Sequence, residues 1–208
     1  MSKKIWVLVA CGMVGYFIHP LVANAQCGSC CNVSSIKAVP SIALTEAESK
    51  DLLLMREEEK LARDVYNAMS ELYNQRVFFN IPRAEQHHMD AMLGLLKAYG
   101  LKDPVKKKPG KFANMELQQL YDDLVSRGAK SKQDAFLVGA LVEEVDIADI
   151  MEAMKRTEKE DLLAVYENLL GGSKRHLNAF VRNYEAVSGK IYQAQKMPQE
   201  EVNKMLGL

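Results

Sequence analysis

Residues 81–99 read IPRAEQHHMDAMLGLLKAY. Ile81, Glu85, His88, Met92, Leu95 or Leu96, and Tyr99 recur at a helical period, so a carboxylate and an imidazole three residues apart share the face that should be buried. Burying such groups costs free energy unless they are paired, hydrogen-bonded or bound to a cation. Glu-x-x-His is also the spacing with which helical bundles hold pairs of metal ions in their cores. The motif is short and common, and solvated polar residues would produce it equally well. The rest of the chain has to decide.

Upstream, Thr45 followed by Glu46 and Glu48 marks a helix start. The pattern continues to about Asn74, with Leu52, Met55, Glu59, Ala62, Tyr66, Met69 and Tyr73 on one face. Glu59 is the polar member of that stripe. Glu57 and Glu58 rotate away from it and read as surface acids, while Lys60, Arg63 and Asp64 can pair across turns. Residues 75–81 read as a short connection, with Pro82 in the first turn of the second helix and Gly100 as its cap.

Downstream, LKDPVKKKPGKFA (101–113) reads as an exposed linker, and Asn114 to Gly128 as a short helix. Together they form a connection long enough for the third helix to run parallel to the second. That helix is expected from Ser131 to about Lys155. It has two possible inward stripes. Phe136, Ala140, Glu143, Ile147, Ile150 and Met154 make one; Leu137, Leu141, Glu144, Ala148 and Met151 make the other. Each carries a glutamate, and periodicity does not choose between them. Asp146 lies three after Glu143, as a further ligand or a hydrogen-bond partner. Thr157 with Glu160 is a capping-box signature for the fourth helix, which places Leu162, Tyr166, Leu169, Ser173, His176 and Phe180 on one face. Gly171 and Gly172 lie in mid-helix, at a cost of roughly 1 kcal/mol each. After Gly189 a short terminal helix is compatible with the pattern.

Four helices thus each bring a metal-capable residue to a core position: Glu59; Glu85 and His88; Glu143 or Glu144, with Asp146; and His176. Carboxylates and imidazoles together suit iron or manganese, as one ion or two.

The stretches EEEKLARDVY (57–66), EQHHMDAM (85–92), GALVEEVDIADI (139–150) and YENLLGGSKRHLNAF (166–180) resemble a ferritin-like bundle domain of a poorly characterised bacterial and archaeal family. Rubrerythrins and ferritins are its better-understood relatives. The resemblance implies an all-α, ferritin-like four-helix bundle over residues 46–187, with a long crossover containing a short helix between helices two and three. It implies that Glu59, with Ala62 and Tyr66 after it, is a first-helix ligand, and that Glu85 and His88 form the second-helix motif. The third-helix acid falls on Glu143 or Glu144. In the fourth helix Ser173 stands where the pattern has Glu, leaving Ser173-x-x-His176. By analogy of fold, the chemistry is that of an oxidase, a peroxidase or an iron-handling protein; the alternative is a metal-free structural or interaction module. Tyr66 or Tyr166 is positioned to hydrogen-bond a ligand. No rubredoxin-type four-cysteine module is present, so a self-contained electron relay is not expected, and the redox partner is unknown.

The remaining segments concern location and partners. Lys3 and Lys4, the apolar run Ile5 to Ile18, and Ala23-Asn24-Ala25 predict a secretory signal over residues 1–25, with a retained anchor as the rival. The run is short for a full span, so no stable membrane span is expected after cleavage. Secretion, or retention in the periplasm or cell envelope, follows. Residues 26–45 form a flexible arm carrying Cys27, Cys30 and Cys31, open to disulfide, intermolecular or soft-metal use. Residues 188–208 are a C-terminal tail. The 27 basic and 27 acidic residues balance, which leaves no nucleic-acid footprint; a homo-oligomer stays open.

Overall fold

The structure, a computed structural model, describes residues 43–208. The expected signal and nearly all of the cysteine-bearing arm lie outside the described residues. Within them the helices are α1 (Glu46–Leu72), α2 (Arg76–Ala98), α3 (Met115–Gly128), α4 (Lys132–Met154), α5 (Glu160–Ser188) and α6 (Gln199–Leu206).

Helix starts follow their caps. Thr45 Oγ1 accepts from Glu48 N while Glu48 Oε2 accepts from Thr45 N, a reciprocal box that opens α1. Asn114 and Ser131 cap α3 and α4 by accepting backbone N–H groups with their side-chain oxygens. Gly189, at φ 69°, closes α5 in the left-handed conformation that glycine adopts at little cost.

Contacts along the helices fix their directions. Arg56 reaches Met89 and Arg63 reaches Gln86, so α1 and α2 are antiparallel. Asp51 pairs with Arg156 and Tyr66 bonds Glu143, so α1 and α4 are antiparallel as well. The second and third long helices, α2 and α4, are therefore parallel. That requires a crossover, and residues 99–131 with α3 supply it. The fold is a ferritin-like bundle of α1, α2, α4 and α5 with a short helix crossing between its halves.

Two helix starts differ from expectation. α2 begins at Arg76, and Pro82 lies inside it rather than in its first turn. An interior proline costs about 3 kcal/mol, which is comparable to what burying Phe78 and Ile81 returns at roughly 1.5–3 kcal/mol each. Both side chains are buried, and Phe78 stacks on Phe136 at 5.5 Å. α5 begins at Glu160 without a side-chain cap. Thr157 instead donates to Glu48 at 2.6 Å, tying the α4–α5 turn to the start of α1.

The crossover is not the solvated linker its lysines suggest. Gly110 and Phe112 are buried. Gly110 N donates to Asp64, and Ala113 N and Asn114 N donate to Glu57, at 2.6 and 2.9 Å. Lys60 lies 4.2 Å over the Phe112 ring and pairs with Asp64 in the interior. Glu57 is thus buried and structural rather than a surface acid. Glu58 is also drawn in: burial first, then the neighbouring Asp149 and Glu59 carboxylates, push it well above the usual carboxylate range.

Candidate metal centre

α1, α2 and α5 deliver their polar residues for the reason their periodicity predicts, and α4 delivers one of its two candidate glutamates. Glu59 replaces an apolar residue on the α1 stripe, Glu85 and His88 do so on α2, Glu143 on α4 and His176 on α5. All converge midway along the bundle. Glu59, Glu85, Glu143 and Asp146 are buried, and the two histidines nearly so.

Glu85 is the hub. Its Oε2 lies 2.9 Å from His88 Nδ1, and its Oε1 lies 2.8 Å from His176 Nδ1. Glu59 Oε2 stands 3.2 Å from His88 Nδ1, and Glu143 Oε1 stands 3.6 Å from His176 Nδ1. The imidazole rings are tilted, with centroids 5.7 Å apart. Two three-residue groups result, Glu59–Glu85–His88 and Glu85–Glu143–His176, and in each the ligand atoms lie within 4.8 Å of one another. Tyr66 donates to Glu143 Oε1 at 2.6 Å, the same oxygen that faces His176 Nδ1, and fixes that carboxylate.

The electrostatics of this core are those of a site without enough positive charge. Burial raises Glu59 to about 7, with repulsion from Glu85 and Glu143 adding to it and His88 opposing it. Burial likewise raises Glu143, and raises Asp146 far above its usual range. Glu85 goes the other way: burial pushes up, but the close approach of His176 and His88 outweighs it and holds the carboxyl near 2. The histidines mirror this. Burial would keep them neutral, yet Glu59 and Glu85 lift His88 to about 11, and Glu143 and Glu85 lift His176 to about 10. The imidazolium ions stand in for a cation. They do so incompletely. Glu59 Oε1, Glu85 Oε1, Asp146 Oδ1 and His176 Nδ1 are buried without a hydrogen-bond partner, the 2.8 Å approach of His176 to Glu85 lacking hydrogen-bond alignment. Buried polar atoms are almost always satisfied. Four orphans in one core, all of them oxygen or nitrogen donors to a metal, fit iron or manganese.

Sequence position alone did not settle α4, and the structure separates its two glutamates. Glu143 enters the core. Glu144 faces the C-terminal segment, where it accepts from Tyr192 Oη and from the backbone amides of Gln195, Lys196 and Met197, at 2.5–3.1 Å. Its lone pairs are committed to that segment. Asp146 borders the core, and the Ser173 hydroxyl donates to its Oδ2. Tyr166 is away from the site, packed with Leu52 and Met92.

Gly172, one of the two mid-helix glycines for which the sequence leaves open a bend, a close helix approach or a channel beside the site, is a further member. A Cβ at this position would lie 2.5 Å from His88 Cε1 and Nε2. The missing side chain is the space in which the His88 ring sits.

A ferritin-like bundle whose core holds two Glu/His groups compatible with a dinuclear metal site is thereby defined. The chain belongs to the family described as "Uncharacterized protein domain (DUF2202)", which matches residues 48–207. It is 43% identical over 175 residues to the uncharacterized protein MJ0754 of Methanocaldococcus jannaschii, covering 82% of this chain and 92% of that protein. The crystal structure of hypothetical protein MJ0754 from Methanococcus jannaschii DSM 2661 superposes with a TM-score of 0.78 at 42% identity, over 82% of this chain and 97% of that one.

Proposed function

We propose that the protein is an exported metal-binding member of this family that holds two iron or manganese ions and works as an oxidase, a peroxidase or an iron-handling protein. The observation that carries the reading is Glu85, which presents one carboxylate oxygen to each histidine and so belongs to both ligand groups. Glu59 and His88 complete one half; Glu143 and His176 complete the other. Asp146, with one oxygen free, is the reserve carboxylate on the side where Ser173 replaces a glutamate.

When bound, such ions supply one-electron redox chemistry toward dioxygen or peroxide. The protein's part is to bind and orient. As ligands, His88 and His176 would have to be neutral, so metal uptake would release the protons that their carboxylate partners hold on them. Tyr66 holds Glu143 in one rotamer through its hydroxyl. Phe180, its ring tilted against Tyr66 with centroids 4.9 Å apart, helps to keep water from that side. Residues 1–25 carry the export part of the proposal. Among the described residues, no helix is long and apolar enough to cross a membrane.

The pairing of both imidazoles with carboxylates favours one alternative, a metal-free module in which two ion pairs neutralise the core. Anaerobic reconstitution with Fe(II) or Mn(II), followed by metal analysis, separates the two. Up to two ions per chain are expected, with less in His88→Ala and His176→Ala at unchanged helicity. Absence of bound metal, with both variants behaving as the parent, leaves the metal-free module.

A further inference from the structure

The crossover leaves a chamber of about 110 Å³ where α3 lies across α1 and α4. Leu61 of α1, Leu117 and Leu124 of α3, and Val142 of α4 line its inner side. Half-exposed Leu120, Leu141 and Val145 lie on its outer side. The lining is hydrocarbon apart from the carboxyl groups of Glu58 and Asp146.

Its placement relative to the acid core is the informative feature. Asp146 belongs to both: it borders the chamber, and it receives the Ser173 hydroxyl one helical turn from His176. Glu58 and Val142 each directly precede a core residue, Glu59 and Glu143. The chamber and the core are therefore separated by little more than the α1 and α4 side chains between them. An apolar pocket of this size takes up small apolar molecules in preference to ordered water, because a water needs two or more polar partners to be held. Here such partners exist only at the Glu58 and Asp146 end.

We propose that this chamber is a binding site for dioxygen, roofed by the crossover helix and placed beside the Glu59–Glu85–Glu143 core. The choice of dioxygen rests on reading that core as a redox metal centre; the existence of an apolar site for a small apolar molecule does not. A molecule held here enters between apolar side chains and meets the core at Asp146, without crossing the Glu/His network.

Paramagnetic dioxygen reports the site in metal-free protein. Under dioxygen pressure, the methyl resonances of Leu61, Leu117, Leu124 and Val142 should relax several-fold faster than the comparably buried methyls of Ile81, Val165 and Val181. Val145→Phe and, independently, Leu120→Phe fill the chamber from different helices and should abolish the difference while leaving the melting temperature close to the parent's. In Fe(II)-loaded protein the same variants should raise the dioxygen concentration at half-maximal oxidation rate and leave the saturated rate unchanged. Equal relaxation of chamber and reference methyls, or water cross-peaks to the chamber methyls, overturns the proposal. So does an enhancement that survives both filling variants. The relaxation experiment contains no metal, so a failure to bind iron or manganese, seen by metal analysis, overturns the reading of the core and is distinguishable from failure of the chamber.

Discussion

Glu143 and Glu144 are neighbours on α4, both buried, and they have opposite chemistry. Glu144 is saturated: three consecutive backbone amides and a tyrosine hydroxyl fill its lone pairs. Glu143 has one hydroxyl donor, Tyr66, and an imidazole standing off at 3.6 Å. The same division runs through α1, where Glu57 is taken up by the crossover amides and Glu59, two residues on, keeps an unpartnered oxygen. A buried acid surrounded by fixed donors is a staple. A buried acid among other acids, short of donors, is a place for a cation. Burial by itself distinguishes neither; the count of donors does.

Removing Glu144 should break the contrast most sharply. Glu144→Ala strands the amides of Gln195, Lys196 and Met197 and should cost about 3–5 kcal/mol in urea denaturation, with residues 190–208 becoming exchange-labile. Glu143→Ala in metal-free protein should cost clearly less, since it relieves repulsion as it removes packing. Equal losses from the two substitutions would show that the donor count does not separate staples from ligands.

Metal addition sharpens the comparison from the other side. Mn(II) at a hundred times its dissociation constant should stabilise the parent by about 2.7 kcal/mol, because it binds the folded chain only. Calorimetry should show that increment lost in Glu59→Ala and retained in Glu57→Gln, whose residue holds the crossover alone.

Gly172→Ala probes the core without replacing a ligand. The added methyl displaces the His88 ring, so affinity for the first ion should fall about tenfold, as for loss of a supporting contact. Metal-free stability should change little, since alanine is the better helix former by about 1 kcal/mol. Titration calorimetry alongside thermal melts reads both. Unchanged metal affinity would mean that His88 has another seat.

The smallest effect is expected at a staple. Burial of Glu48 acts to raise it, but Lys159, Thr157 and Thr45 together hold it at about 2, below its ordinary 4.5. A carboxyl depressed on folding contributes stability that is full above its ordinary value and is lost as pH falls from about 4.5 toward 2. The loss should be roughly 1 kcal/mol after solvent screening, and Glu48→Gln should flatten that limb of the stability–pH curve.

Much of this architecture is written along the chain. The helical period places Glu59, Glu85, His88 and His176 at buried positions, and the long segment from 101 to 130 dictates that α2 and α4 run parallel. Caps at Thr45, Asn114 and Ser131 set helix starts because capping is a contact between residues two or three apart. Where sequence and structure part, the deciding partner is distant. Thr157 forms no capping box with Glu160 because α5 starts after Lys159: Thr157 Oγ1 accepts from the Lys159 amide, and its hydroxyl donates to Glu48, far away in the chain. Pro82 sits inside α2 because Phe78 and Ile81 have aromatic and aliphatic neighbours from other helices to pack on.

What the sequence by itself determined is which faces are buried and that four of them carry metal-capable groups. Periodicity reports burial, and α4, apolar on nearly every side, has two faces that satisfy it. Only the tertiary structure decided that Glu143 meets the other helices while Glu144 meets residues 192–197, and that Glu57 is claimed by the crossover. The physical reason is that a carboxylate's role is set by the donors around it, and those donors are backbone amides and side chains that folding brings from remote parts of the chain.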